Sequence, residues 1–539
     1  MLVVGLVSGG KDSCYNMVQC VAAGHSIVAL ANLRPSGGEL EADSQMFQTV
    51  GWSNVQLLAE AMDLPLYVEE TAMEARAAGR EYSPVEGDEV EDLYRLLARV
   101  QEDTGCEGVS VGAILSDYQR VRVESVCLRL GMTPLAFLWR RQQSALLREM
   151  VEHKVEAVLV KVACLGLDSS HLGLTLAQAE PGLTRLAGLY GVNVCGEGGE
   201  FETFTLDCPL FRRRLVVSDS SVVTHSADAF APVCLLSLQL EVQGEARQGS
   251  QAELVGQEVL RALHPDTQAG PEVSIENLAE APKVEMSRLE VLEDQAVCRD
   301  EGEGWFLATG AVGRGGQEGE AVEEAFRCLK EVLREAGAEL DMVVKVYMYV
   351  DSMDSYAAMN AAYVTHFGTN PPVRVCVGVG AAHLPPGARL VLGAWGHRGG
   401  RGTVLHVQGV SHWAPANIGP YSQGVLAGGQ LHVSGQIGLV PGSMLLAPGE
   451  AAQAGLALRH CSRVAEAMAP GLGWGQVSRA TCYVVGEEGA RQAEVQWREV
   501  GGTGHVTYLQ VHQLPRQALV EWEVVYRVAQ TQDQESDSS

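Results

Sequence analysis

Over roughly the first 225 residues, short apolar runs alternate with stretches whose apolar positions recur at helical spacing. Residues 3–7 read as a strand and 12–23 as a helix, followed by a strand at 26–33, a helix at 45–62 and a short strand at 66–68. Residues 89–104 place Val90, Leu93, Leu96, Leu97 and Val100 on one helical face. A strand at 108–112, a helix at 119–130 and a strand at 157–162 continue the series. Alternation of this kind predicts an α/β domain, a doubly wound parallel sheet with helices on both faces. In such sheets the ligand crevice lies beyond the carboxyl ends of the strands.

After residue 226 the pattern changes. Residues 227–295 are rich in Glu, Gln, Ala and Gly and show no clear period. Two later segments then answer each other: FLATGAVG at 306–313 and LHVSGQIG at 431–438, then VVKVYMYV at 343–350 and VSRATCYVV at 477–485. An offset of this size is a tandem domain duplication rather than a solenoid period. Each copy runs strands, an amphipathic helix (321–336 and 454–469), then strands again, which predicts an α+β unit. The expected organisation is a domain at 1–225, a connecting region at 226–295 partly joined to the next domain, copies at 296–400 and 401–528, and a disordered acidic tail at 529–539.

Composition agrees with several folded domains: 539 residues, 46% hydrophobic and 20% charged. The net charge of −28 argues against a broad grip on nucleic acid, and the run Arg212, Arg213, Arg214 reads as a solvated loop cluster. The 13 cysteines include no CxxC pair, which argues against a disulfide framework or structural zinc and points to a reducing compartment. No signal-peptide pattern and no long apolar run is present, so a cytoplasmic protein without membrane contact is expected.

Ser8, Gly9, Gly10, Lys11, Asp12 and Ser13 fall where the first strand gives way to the first helix. Two glycines bring backbone N–H groups close to an anion, the helix dipole points at the same place, and Lys11 adds a mobile cation. The spacing is not that of the G-x-x-x-x-G-K-[ST] loop. It resembles the SGGxDS loop of the N-type ATP pyrophosphatases. Asp12 either helps place magnesium or caps the helix.

Glu197, Glu200 and Glu202 crowd six residues among Gly196, Gly198 and Gly199. Carboxylates that close raise one another's pKa unless a cation lies between them, such as magnesium, ammonium or a trimethylammonium group. A solvated acidic turn is the plainer alternative. Asp117, Tyr118, Gln119 and Arg122 follow a strand end, where Arg122 could neutralise charge on an α-phosphate with Glu124 positioning it, or simply make a helix-face salt bridge. Asp168 also follows a strand.

The strings NVCGEGGEFETFTLDCPLF at 193–211, GAILSDYQRVRVE at 112–124 and PLAFLWRRQ at 134–142, with SGGKDSCYNM and ALANLRP near the start, resemble the diphthine–ammonia ligase family. The resemblance implies a PP-loop (HUP-like) ligase domain that uses ATP, with Mg2+, to activate diphthine on elongation factor 2 as an acyl-adenylate. Ammonium then supplies the nitrogen as AMP and pyrophosphate leave. It implies nucleotide contacts from Ser8, Gly9, Gly10, Lys11, Asp12, Ser13, Asn32 and Gly112, and catalytic roles for Lys11, Asp12, Arg122 and Glu200. Substrate contacts would come from Asp117, Tyr118, Gln119, Asp168, Glu197, Gly198, Gly199, Glu200, Glu202 and Thr203. Metal ligands are left open.

Both later copies resemble the Rid family, whose enzymatic members hydrolyse imines. The resemblance matches that family's arginine to Arg374 in the first copy, where its carboxylate falls on Gly393. In the second copy the carboxylate matches Glu523, while the arginine falls near Val506; IGPYSQ at 418–423 is kept only there. Neither copy is complete alone, although Arg374 and Glu523 could meet across the pair. A scaffold that docks the elongation factor is the favoured reading of the pair. Two other functions stay in view, a tRNA-modifying ATP pyrophosphatase and a nucleotide-sensing imine deaminase; the acidic charge and lack of CxxC argue against the first.

Overall fold

The computed structural model describes residues 1–36, 51–71, 75–77, 79, 82–226, 228, 231–262, 284–288 and 290–528. The expected helix start at 45 and the tail at 529–539 lie outside them. The chain divides into two compact units, Met1–Pro265 with Gln408–Trp413, and Asp266–Val407 with Ala414–Ser539.

The first unit is built on parallel strands β1 (Leu2–Leu6), β2 (Ser26–Pro35), β3 (Leu66–Thr71), β4 (Gly108–Ser110) and β5 (Thr133–Leu135), in the order β3-β2-β1-β4-β5. Helices α1 (Lys11–Ala22), α2 (Val55–Met62), α3 (Glu89–Thr104) and α4 (Asp117–Leu130) connect them. A sheet buried on both faces needs two cores, and both exist. Met17, Val18, Ile27 and Leu58 belong to one, and Val4, Ala29, Leu93, Leu97 and Val126 to the other. The predicted α3 face is fully buried in the second core. The strand order reverses between β1 and β4, the place where doubly wound sheets open a crevice.

The next elements depart from the expected series. After α5 (Gln143–Glu152), strand β6 (Glu156–Val162) does not become a sixth parallel strand. With α6 (Leu176–Tyr190) following, it joins β7 (Phe201–Asp207), β8 (Arg214–Ser226) and β9 (Val233–Gln243) in an antiparallel sheet of order β7-β6-β9-β8. Val158, Leu159 and Val160 are buried whichever sheet they join, so their apolar run carries no information about partners. The unit also runs past 225, since α7 (Gln251–Ala262) packs on α1. The Gln251 side chain accepts from Ile27 N at 2.9 Å and donates to Ile27 O at 2.8 Å.

Gln408–Trp413 completes this unit at the β5 edge. Val410 pairs in parallel with Leu135. Ala136 N donates to Val410 O at 2.8 Å and Val410 N to Pro134 O at 2.9 Å.

The second unit contains the two repeats. The first is a five-stranded sheet from Val297–Gly302, Trp305–Gly313, Val343–Val350, Val373–Gly378 and Leu390–His397, packed on the helix Glu318–Glu335. The second repeats that plan with the helix Gly449–Met468 and ends in the strand Val520–Arg527. Met286–Arg288, from the connecting region, pairs in parallel with Val506–Gln510 of the second copy. The copies join directly: Gly378 and Gln513 exchange backbone hydrogen bonds, and Gly435 N donates to Arg374 O. Among the described residues no helix is long and apolar enough to cross a membrane.

Candidate functional site

A cleft of about 340 Å³ opens at the carboxyl ends of β1 and β4. The turn from β1 into α1 forms its floor. Gly9 has φ +96°, and a Cβ there would lie 2.5 Å from the Phe204 ring, so only glycine fits. Thr205 N donates to Gly9 O at 2.9 Å and Lys11 N to Thr203 Oγ1 at 3.1 Å, which sews the loop to β7. Ser13 Oγ donates to Gly10 O at 2.9 Å.

Lys11 Nζ is buried and donates to Asp12 Oδ2 at 2.8 Å and to Cys195 O at 2.5 Å. Burial opposes its charge, yet Asp12, aided by Glu197, holds the ammonium above the ordinary lysine range. Asp12 Oδ1 is buried without a partner among the described residues. From the facing loop, Glu197 Oε2 accepts from Leu115 N at 2.8 Å. Burial first, then nearby Asp12, push the Glu197 carboxyl above its usual range. Glu202 reaches the cleft from β7 and pairs with Lys161 at 3.3 Å.

The structure brings Ser8, Lys11, Asp12, Ser13, Gly112, Gln119, Glu197, Gly199, Glu202 and Thr203 into this lining. Gly112 is held to glycine by contact: a Cβ there would sit 2.7 Å from Ser13 N and 2.8 Å from the Asp12 carbonyl carbon. The starts of α1 and the β4–α4 turn therefore touch through backbone.

Other expected residues support the cleft from outside its lining. Asn32 Nδ2 donates to Val7 O at 2.7 Å, fixing the end of β1. Glu200 accepts from Asn193 N, Asn193 Nδ2 and Gly198 N at 3.0, 2.7 and 2.7 Å, so it ties the glycine-rich loop to itself. Arg122 is fully buried, donates to the carbonyls of Ala77, Gly79 and Tyr118, and stacks 3.3 Å over the Tyr118 ring. Its two Nη atoms face the carbonyls of Tyr118, Ala77 and Gly79, and Arg122 is not among the residues that line the cleft. Asp117 accepts from Arg120. Asp168 caps an exposed turn, accepting from Ser170 N at 2.9 Å.

The apolar wall was not among the residues expected from the sequence. Leu33, Leu93, Val111, Val123 and Phe201 line the cleft beside the phosphate loop. In sequence they are indistinguishable from core positions; the available signal was that Leu33 and Val111 come at strand ends. A floor of N–H donors and a cation, an acidic rim and an apolar wall together suit an anionic ligand with an apolar part, such as a nucleotide.

A second, narrow cavity of about 20 Å³ lies between the two repeats. Arg374 lines it with Tyr421 and Glu521. Arg374 does not meet Glu523 there, as the resemblance allowed. Glu523 is taken by Lys345 in a fully buried ion pair and also accepts from Tyr347 and Tyr483 at 2.9 Å each. Glu521, two residues earlier on the same strand face, stands in the cavity. Arg374 Nη1 and Glu521 Oε2 are both buried and unpartnered among the described residues.

Comparison with known proteins gives three matches by family. Residues 1–134 match the diphthamide synthase N-terminal domain, 142–233 the diphthamide synthase C-terminal domain, and 302–390 with 411–528 the family described as endoribonuclease L-PSP. The chain is 40% identical to the diphthine–ammonia ligase of Schizosaccharomyces pombe, over 98% of this chain and 88% of that one. It is 60% identical to the human diphthine–ammonia ligase, over 44% of this chain and 90% of that one. It is also similar to RidA from an Antarctic Psychrobacter, at 26% identity and a TM-score of 0.20, covering 22% of this chain and 95% of that one.

Proposed function

The chain belongs to the diphthine–ammonia ligase family and is a carbon–nitrogen ligase that makes diphthamide; from that premise we propose how its cleft runs the reaction. The observation that carries the assignment of the cleft is the Ser8–Ser13 loop facing Glu197 and Glu202 across one space. ATP lies with its base on the apolar wall and its phosphates over the loop, where Lys11 offsets their charge. A diphthine carboxylate from elongation factor 2 attacks the α-phosphate in line, pyrophosphate departs, and an acyl-adenylate remains. Ammonia adds to the acyl carbon and AMP leaves with the electron pair of the broken C–O bond.

The acidic rim attracts both cations the reaction needs, the trimethylammonium group of diphthine and free ammonium. Glu197 takes a proton from ammonium, because burial and Asp12 raise the proton affinity of its carboxyl. The orphaned Asp12 Oδ1 fits magnesium carried in with ATP, which would offset charge on the phosphates. Glu200 and Asn32 hold the loops in shape, and Arg122 fixes α4. With elongation factor 2 as partner, the reaction takes place in the cytoplasm.

The test is to incubate the protein with ATP, Mg2+, ammonium and elongation factor 2 from cells lacking this step. Loss of about one mass unit from the modified peptide, with matching AMP, is the expected result. Unchanged factor together with unconsumed ATP would overturn it.

A further inference from the structure

Six residues from far along the chain are built into the ligase unit. Glu124, on the inner side of α4, is buried, and both its oxygens are used. Oε2 accepts from Arg120 at 2.7 Å, while Oε1 accepts from Gln408 N at 3.0 Å and Gly409 N at 2.7 Å. A buried carboxylate given one cation and two aimed N–H groups is a built anchor, because each group lost would leave charge unsatisfied. The next residue, Val410, takes the vacant hydrogen-bonding edge of β5. Beyond it, the His412 ring lies 4.9 Å from the Phe137 ring, with Nε2 3.3 Å from Gln19 Oε1 on α1. Val410 packs on one core and Trp413 on the other.

The same segment therefore grips both helices that frame the phosphate site, α1 through Gln19 and α4 through Glu124. Those helices bring Lys11, Asp12 and Gln119 to the cleft, and the start of α1 touches the turn leading into α4 at Gly112. With no slack at Gly112, a tilt of either helix moves Lys11 relative to Gln119. We infer that Gln408–Trp413 is a positioning clamp for the ATP site, with Glu124 and Gln19 as its anchor residues. The inference rests on the assignment of this cleft to ATP. None of the six residues lines the cleft, so the clamp acts only through the helices it holds.

Two measurements on the full chain test it. The first uses Gly409→Asp combined with His412→Ala. A side chain at 409 starts 3.1 Å from Glu124 Oε1, so the new carboxylate repels the anchor. The KM for ATP should rise about tenfold in the folded variant, with kcat for AMP formation close to wild type, while the melting temperature falls. Unchanged KM and kcat in the folded variant overturn the clamp. The second needs no variant and decides the case if the first protein fails to fold. By reciprocity, a clamp that favours ATP must itself be favoured by ATP. Hydrogen exchange at Gln408, Gly409 and Val410 should slow several-fold when a non-cleavable ATP analogue binds. Unaltered exchange at saturating analogue overturns the clamp. Absence of analogue binding, or of AMP formation by the wild-type chain, would instead count against the assignment of the cleft.

Discussion

Lys11 and Cys195 stand 184 residues apart and are joined by a hydrogen bond from the lysine ammonium to the cysteine carbonyl. The phosphate loop and the glycine-rich acidic loop are thus one object, with the ammonium held between Asp12 and a backbone oxygen. Lys11→Ala removes that cation and the link together. AMP formation should fall by about 100-fold or more, the scale for losing a preorganised charge at a phosphoryl centre. Pyrophosphate release in the presence of substrate factor is the measurement.

Gly112→Ala should weaken ATP binding without removing any polar side chain. Its Cβ would meet the backbone of Asp12 and Ser13, which cannot swing aside as a side chain can. Relief requires the start of α1 to shift, at a cost of roughly 1–3 kcal/mol. Equilibrium binding of an ATP analogue, read beside the melting temperature, checks this.

The phosphate loop was legible because its chemistry is local: strand, two glycines, lysine and helix are contiguous. The α3 face was legible for the same reason, its five apolar residues all falling in one core. The antiparallel partners of β6 were not legible, since a run buried on both faces reads alike in either sheet. Arg122 looked like a phosphate ligand because it follows a strand end, but its helical position turns the guanidinium toward the carbonyls of Ala77 and Gly79. The exchange of Glu523 for Glu521 at the Arg374 cavity was hidden too. Both lie on one strand face, and the placement of Lys345, with Tyr347 and Tyr483 beside it, separates them.

That placement gives a stability prediction. Lys345→Met strands the buried Glu523 carboxylate and should cost roughly 3–5 kcal/mol, whereas the double change with Glu523→Leu should recover most of the loss. A double-mutant cycle by chemical denaturation reads both values.

Glu521 predicts a pH dependence. Burial, with neighbouring Glu523 adding and Arg374 opposing, pushes its carboxyl up to about 8. The folded state then binds a proton that the unfolded state has released, so this group's contribution falls as pH rises from about 4.5 to about 8. Glu521→Gln should therefore raise the melting temperature at pH 8 relative to wild type, by several degrees, and make no difference near pH 4. A gap that does not narrow as the pH falls would count against this.

Val410 at the edge of β5 carries a consequence for how the protein is made. A ribosome releases roughly 150 further residues between the end of Met1–Pro265 and the arrival of Trp413, a wait of about 7–30 s at ordinary synthesis rates. During that interval β5 exposes an unpaired ladder edge, and Glu124 lacks two of its three donors. The nascent enzyme is therefore most prone to off-pathway strand pairing before its own distant hexapeptide emerges, and chaperone demand should peak there.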